Sequence, residues 1–242
     1  MPQEIVTTYE FLFEDGQRLA IPVRLRLPGY DLVADAPAAP LPHWTKLGFE
    51  QCPNCTLNGT CSRCQAAVNL IPLGTYFSDR RSTEIVDVNV YTAERTYVKK
   101  CPLQHGVSSL MGLIMATSGC PHLDKLRPMV LTHLPFSSAE QTMFRTISMY
   151  LLAQFLRQRR GMTTDWQLNE LTRTYDEIKI VNQAFARRLR SCQTRDANLN
   201  AIVNLDCQAD LASFSIAEEQ WEELDHLFQP YLQNAGTPIA AE

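Results

Sequence analysis

The sequence has little net charge and no long hydrophobic run, and each absence excludes a class of protein. Its 242 residues carry 22 basic and 26 acidic side chains, which gives a formal net charge of -4. This balance argues against a protein that binds nucleic acid through bulk positive charge. The longest apolar stretches, such as residues 110–116, are far too short to span a bilayer. We therefore expect no nucleic-acid partner and no insertion into a membrane.

The beginning of the chain also lacks the form of a secretory signal. Its first residues, Met-Pro-Gln-Glu, contain no basic segment followed by an apolar one. We therefore expect a cytoplasmic protein, in which the eight cysteines are kept reduced. In that compartment, metal binding or redox chemistry explains a cysteine cluster better than structural disulfide bonds do.

Four of the cysteines lie within thirteen residues. They are Cys52, Cys55, Cys61 and Cys64, in the pattern C-x2-C-x5-C-x2-C. A tight turn inside each Cys-x-x-Cys pair brings both sulfurs to the same side, and thiolates are ligands that zinc prefers. We predict that this loop binds one metal ion, with zinc as the first choice. Zinc would take four thiolates in a closed tetrahedron at about 2.3 Å.

Two other kinds of chemistry remain open for this loop. A 4Fe-4S cluster also takes four cysteines, and a loop with closely spaced cysteines, glycine and asparagine suits it. A reversible Cys-x-x-Cys dithiol would instead sense oxidants or pass electrons. The five residues between the two pairs are fewer than zinc ribbons use, so the zinc form of the site would be a compact knuckle. The C-x3-C-x2-C motif of the catalytic radical enzymes is absent from the sequence.

A fifth cysteine, Cys120, lies two residues before His122. Gly119 and Pro121 favour a turn, so that both side chains could face one way. The pair could complete the metal site, with Cys120 in place of one loop cysteine, or His122 could activate the thiol of Cys120 as a nucleophile. A buried free cysteine beside a capping histidine is the third interpretation. The remaining cysteines are interpreted as packing residues: Cys101, Cys192 and Cys207.

Hydrophobic periodicity predicts an α+β fold in which the sheet comes first. Alternation over residues 7–27, with a turn at Asp15-Gly16, predicts one hairpin, in which Pro22 indicates an edge position or a bulge. Residues 85–98 predict a second hairpin. Helical spacing predicts helices at about 108–117, 138–160, 165–189, 197–212 and 216–232. We expect an N-terminal antiparallel sheet of two hairpins, carrying the Cys-rich loop, to pack on a C-terminal antiparallel helical bundle.

These elements divide the chain into three parts. Residues 1–103 are expected to form the antiparallel sheet with the Cys-rich metal loop, residues 104–234 the helical bundle, and residues 235–242 a disordered tail. The first two parts should form one compact unit. Residues 28–41 read as an extended surface connection, and Ser138, Gly161 and Asp165 are interpreted as helix-end signals.

Several segments resemble an uncharacterised bacterial family of domains of unknown function. They are Cys52-Pro-Asn-Cys55, Glu94-Arg-Thr-Tyr97, the stretch from His105 to His122, His133-Leu-Pro-Phe136 and Ser148-Met-Tyr-Leu-Leu-Ala-Gln154. The resemblance extends from about residue 9 to residue 232. It covers Cys52, Cys55, Cys64, Cys120 and His122, whereas Cys61 is an additional cysteine. It therefore implies a second ligand set, in which Cys120 or His122 is the fourth metal ligand beside Cys52, Cys55 and Cys64. It implies no activity.

Three functional hypotheses follow from the sequence. The first is a zinc-binding module with a binding or regulatory role and an unknown protein or small-molecule partner. The second is a redox protein with an iron–sulfur cluster or a dithiol. The third is a metal-dependent or cysteine-dependent enzyme that uses Cys120 and His122.

Overall fold

An antiparallel sheet forms the N-terminal part of the fold, and helices follow it, as the periodicity predicted. The structure is a computed structural model that describes residues 3–34, 40–191, 196–217 and 222–232. Within these ranges the sheet has five strands in the order β3-β2-β1-β4-β5. The strands are β1 (Glu4–Phe13), β2 (Arg18–Arg26), β3 (Asp31–Leu32), β4 (Ile85–Tyr91) and β5 (Thr96–Pro102). The α+β prediction is confirmed. The predicted tail at residues 235–242 and Cys192 lie outside the described residues.

The first hairpin has the turn that the alternation predicted. Gly16 takes a φ of +84° between β1 and β2, a conformation that costs little only for glycine. Tyr9 and Phe11 point from β1 into the core and are fully buried. Pro22 pairs with β1 on one side, and among the described residues β3 reaches only the far end of β2. Pro22 therefore lies at an edge, where its missing N–H leaves no ladder bond unmade.

The short strand β3 was not predicted, because its two residues lie in a connection without periodicity. It pairs with the end of β2. The sheet therefore has one strand more than the two hairpins supply. A two-residue strand leaves no repeating pattern in a sequence, so only the pairing partner reveals it.

Seven α-helices lie in the described residues. They are α1 (Gln65–Asn69), α2 (Ile71–Tyr76), α3 (Leu103–Ala116), α4 (Ala139–Gln158), α5 (Asn169–Arg190), α6 (Ala197–Ala217) and α7 (Glu222–Leu232). There are also two 3-10 segments. His43–Thr45 precedes α1, and Leu123–Thr132 lies between α3 and α4. None of the described helices combines the length and apolarity that a bilayer crossing requires.

The predicted helix ends are confirmed in part. The hydroxyl of Ser138 accepts the N–H of Gln141 at 3.2 Å, and the Gln141 side chain accepts the N–H of Ser138 at 2.9 Å, which together form a capping box. Asp165 caps α5 from a distance, since its carboxylate accepts the N–H of Glu170 at 2.7 Å. The helix begins four residues later than Asp165 because Leu168 has a φ of +63°, which an α-helix cannot continue through.

Helix α3 packs on the sheet at unusually short range. A Cβ atom on Gly106 would lie 2.8 Å from the Phe11 ring and 2.9 Å from a Val88 methyl group. Phe11 and Val88 are fully buried side chains of β1 and β4. Only the absence of a side chain at Gly106 therefore allows α3 to lie this close to the sheet.

A chain of hydrogen bonds also joins the sheet to α3 and to the segment after the second 3-10 region. The hydroxyl of Tyr9 lies 2.8 Å from the Ser109 hydroxyl and 2.7 Å from Nε2 of His133. Burial lowers the pKa of His133 to about 4, and the positive charge of Arg145 acts in the same direction. His133 is therefore neutral at physiological pH.

We predict that Gly106→Ala destabilises the protein by about 1–3 kcal/mol, because the new methyl group would overpack a rigid contact. Gly112→Ala in the same helix is the matched control, since its Cβ would meet only Leu205 at 3.4 Å. That control should be neutral or slightly stabilising, because alanine favours helix. Urea unfolding of both variants measures the difference, and equal stabilities would contradict the packing described.

We predict that His133 makes the protein less stable in acid. Its folded-state pKa lies below its ordinary value of about 6.5, so the unfolded chain binds the proton more tightly. The contribution of neutral His133 to the free energy of unfolding is complete above pH 6.5 and is lost as the pH falls toward 4. Between pH 7 and pH 4, the free energy of unfolding of His133→Gln should therefore decrease by about 2 kcal/mol less than that of the wild type. Urea unfolding at both pH values measures this difference. The control variant His43→Gln, at an exposed position, should lose as much stability between them as the wild type does.

Candidate functional site

The cysteine-rich loop is held by a narrow antiparallel ribbon. Lys46 and Arg63 form an isolated bridge, and the N–H of Cys64 donates to the carbonyl of Thr45 at 2.9 Å. The Arg63 side chain donates to the Thr45 hydroxyl at 2.7 Å. These bonds fix Cys64 at the end of the ribbon, where it is the N-cap residue of α1.

The first Cys-x-x-Cys pair forms a tight turn. The N–H of Cys55 donates to the carbonyl of Cys52 at 3.0 Å. Asn54, inside the turn, donates to the backbone carbonyl of Glu177 at 3.0 Å and also to its carboxylate. The turn is therefore attached to the middle of α5.

Four cysteines line one small cavity between this loop and the helices. They are Cys52, Cys55, Cys64 and Cys120. The cavity has a volume of about 20 Å³ and is closed by apolar side chains that include Val181 and Phe185 of α5. Cys61 does not line it and is exposed. The structure thus brings together three of the four loop cysteines and adds Cys120 from the turn after α3.

The backbone presents N–H groups to two of these thiols in the same pattern. Burial raises the pKa of Cys64, and the N–H groups of Ala67 and Ala66 act against that rise. Burial likewise raises the pKa of Cys120, and the N–H groups of Leu123 and His122 oppose it. In both places the donors stand two and three residues after the cysteine. Such donors stabilise a thiolate once its proton has left.

The sulfurs are close enough to influence one another. Burial raises the pKa of Cys52 to about 12, and the neighbouring Cys64, Cys120 and Cys55 raise it further. Without a metal ion, Cys52 therefore keeps its proton at neutral pH. Thiolates that share one apolar cavity repel one another, and a bound cation removes that repulsion.

A buried arginine stands beside the cysteines. Arg188 of α5 is 1% exposed, and its guanidinium donates to the backbone carbonyls of Trp44, Lys46 and Leu47. Burial lowers the pKa of Arg188, and Cys64, Cys52 and Cys55 act against that change. The side chain thus supports the ribbon and brings a positive charge to the cluster.

The sequence analysis did not identify Arg188 as a functional residue, although a signal was present. Arg188 stands seven residues after Val181 and three after Phe185, on the apolar stripe of α5. A charged residue inside an apolar stripe indicates a buried partner. Asn54 and Glu177 gave no comparable signal, because polar residues in a turn or on a helix surface are ordinary.

His122 lies at the cavity, but its ring is hydrogen-bonded elsewhere. Its Nε2 lies 2.7 Å from the carbonyl of Asn54, so Nε2 carries the proton and donates it. Its Nδ1 lies 3.7 Å from a carboxylate oxygen of Glu177. His122, Asn54 and Glu177 therefore fasten the Cys120 turn and the Cys52–Cys55 turn to α5.

The surroundings of Cys120 are not those of an activated nucleophile. Its pKa is raised by burial, and the two ring nitrogens of His122 face Asn54 and Glu177. A nucleophilic thiol needs a lowered pKa or an adjacent base.

As the side chains stand, the described residues contain no group of three or more His, Cys, Asp or Glu that could hold a metal ion.

Comparison with known proteins places the chain in a family. A family model for a domain of unknown function, DUF6901, matches residues 7–229. The chain belongs to the DUF6901 family. The match includes the whole cysteine-rich loop, Cys120 and His122. No curated protein and no solved structure matches this DUF6901 chain. The resemblance to an uncharacterised domain family, stated above from the sequence segments, is confirmed.

We predict that the cysteines of the metal-free protein react in the order of their exposure. Cys61 and Cys207 are exposed, whereas Cys52, Cys64 and Cys120 are partly buried and burial raises their pKa values. Brief treatment of chelator-treated native protein with iodoacetamide should therefore label Cys61 and Cys207 before the three cavity cysteines. Peptide mass spectrometry measures the order, with urea-unfolded protein as the control. Fastest labelling at Cys120 would instead indicate an activated nucleophile.

Proposed function

We propose that this protein binds one zinc ion through Cys52, Cys55, Cys64 and Cys120, and that the ion fastens the cysteine-rich loop to the helical part of the fold. The observation that carries the proposal is that these four side chains line a single cavity while Cys61 lies outside it. Four thiolates would close the coordination sphere of zinc, which is typical of a structural site. We infer a metal-stabilised binding or regulatory module in the cytoplasm.

The surroundings of the cavity suit a thiolate–metal centre. A zinc ion with four thiolates carries net negative charge, which the guanidinium of Arg188 would partly neutralise. The N–H groups that follow Cys64 and Cys120 would donate to the thiolate sulfurs. His122 would be a positioning residue, because its ring bonds to Asn54 hold the two cysteine turns against α5.

The volume of the cavity favours a single ion over a 4Fe-4S cluster. A volume of about 20 Å³ accepts roughly one water-sized particle. An iron–sulfur cluster is several times larger and would require the loop to move away from α5. The cluster therefore remains the weaker alternative for this site.

The proposal requires the four thiols to turn toward a common point and lose their protons. In the described residues the side chains are not yet arranged to hold an ion. Rotation about the Cα–Cβ bond moves a cysteine sulfur between three staggered positions, and metal binding releases thiol protons. The backbone that bears the cysteines would keep its hydrogen bonds throughout.

We predict that the protein purified without added metal contains about one zinc per chain. Cys61→Ser should keep the full amount, whereas Cys55→Ser and Cys120→Ser should lose most of it and unfold at lower temperature. Elemental analysis and thermal unfolding measure the two effects. Binding of structural zinc contributes ~10 kcal/mol or more to folding in small zinc domains, so chelation of the wild-type protein should also lower its unfolding temperature.

Refolding of each variant with Co²⁺ distinguishes loss of the site from failure to fold, because thiolate–cobalt absorption reports coordination directly. Full metal content in Cys120→Ser together with its loss in Cys61→Ser would overturn this ligand set and favour the four loop cysteines. Iron and acid-labile sulfide in place of zinc would identify the cluster. Absence of any metal from the wild-type protein, with no binding of added zinc, would overturn the proposal.

A further inference from the structure

A second and much larger cavity lies along α3. Its volume is about 550 Å³, which is within the range of small-molecule sites. Residues of α3, α4, α5, α6 and the second 3-10 segment line it, and most of the deep side chains are apolar. Lys99 and Gln141, both exposed, stand at its mouth. It shares no cysteine with the cavity of the proposed metal site.

Apart from the phenol of Tyr175, the charged and ionisable side chains that line this cavity in the described residues are all basic. They are Lys99, His105, His133 and Arg145. No aspartate or glutamate is among the described lining residues. His133 is neutral because burial lowers its pKa, so the positive charge inside comes from Arg145, with Lys99 at the entrance.

Arg145 of α4 carries a charge that has no carboxylate partner within ion-pair distance among the described residues. One terminal nitrogen of its guanidinium donates to the carbonyl of Met129 at 2.8 Å, while the buried Nε has no hydrogen-bond partner there. Burial lowers the pKa of Arg145, which is the direction expected where desolvation outweighs neutralisation. A half-buried guanidinium at a cavity wall is a site for an external anion.

An asparagine on another wall is also without a partner. Asn182 of α5 is 3% exposed and lines the cavity. Its side chain makes no hydrogen bond with the residues that the structure describes. A buried amide normally has partners, and an exception at a cavity is expected where a ligand or water supplies them.

We propose that this cavity binds a small organic acid with an apolar body. The carboxylate would pair with Arg145 and the apolar body would fill the space between Leu113, Ile178 and Ala209. Asn182 would donate to or accept from a second polar group or a bridging water. A planar carboxylate suits a guanidinium because two parallel hydrogen bonds can form. A cationic ligand would face repulsion from Arg145 and Lys99.

The test is titration calorimetry of the full chain with three probes that share one chain length. Decanoate should bind, decanol should bind at least about tenfold more weakly because it lacks the charge-assisted hydrogen bonds, and decylamine should show no binding. Decanoate and decylamine are used below their micelle-forming concentrations, and decanol is used below its solubility limit. Equal binding of decanoate and decanol, stronger binding of decylamine, or no binding of decanoate would each overturn the proposal.

Variants locate the binding on the chain. Arg145→Gln should weaken decanoate binding about tenfold or more and leave decanol unchanged, since only the ionic contact is removed. Arg159→Gln, at an exposed position beyond the end of the same helix, is the matched control and should bind as the wild type does. Leu126→Trp should weaken both probes by filling the cavity without a change in charge. Unchanged binding in both Arg145→Gln and Leu126→Trp would overturn the assignment, and circular dichroism checks that each variant is folded.

Discussion

The close contact between α3 and the sheet is the constraint on which the rest of the structure depends. A Cβ atom at Gly106 would lie less than 3 Å from side-chain atoms of Phe11 and Val88, so only a glycine at this position allows the contact. Because α3 is held at this distance, the turn after it carries Cys120 to the cysteine-rich loop. Residues of the same helix also form a wall of the large cavity. One helix–sheet contact therefore positions both proposed sites.

The two sites share a physical feature, which is a guanidinium withdrawn from water. Arg188 supports the cysteine ribbon through backbone carbonyls and faces thiols that could become thiolates. Arg145 has one backbone carbonyl and faces an apolar cavity. A buried positive charge is costly unless negative charge approaches it. The proposed occupants, a thiolate-bound metal ion and a carboxylate, supply that charge in two different ways.

Much of the fold was predictable because its signals are local. Alternation over the two hairpins, the cap at Ser138 and the stop at Gly161 each depend on a few neighbouring residues, and each is confirmed. Strand β3 and the second 3-10 segment were missed because they have no periodicity of their own. The start of α5 was placed at Asp165, four residues early, because the left-handed conformation of Leu168 has no local signature in a leucine.

The sequence by itself determined that the chain forms a sheet followed by helices, and that a turn at residues 52–55 presents two thiols. Those features follow from alternation, helical spacing and turn residues, which act over a few positions. The tertiary structure alone decided that Cys120 faces the small cavity while Cys61 faces solvent. It also decided that Arg145 lines the large cavity with no carboxylate partner among the described residues. Such outcomes depend on which distant segments pack together, and no short stretch of sequence encodes the distance between them.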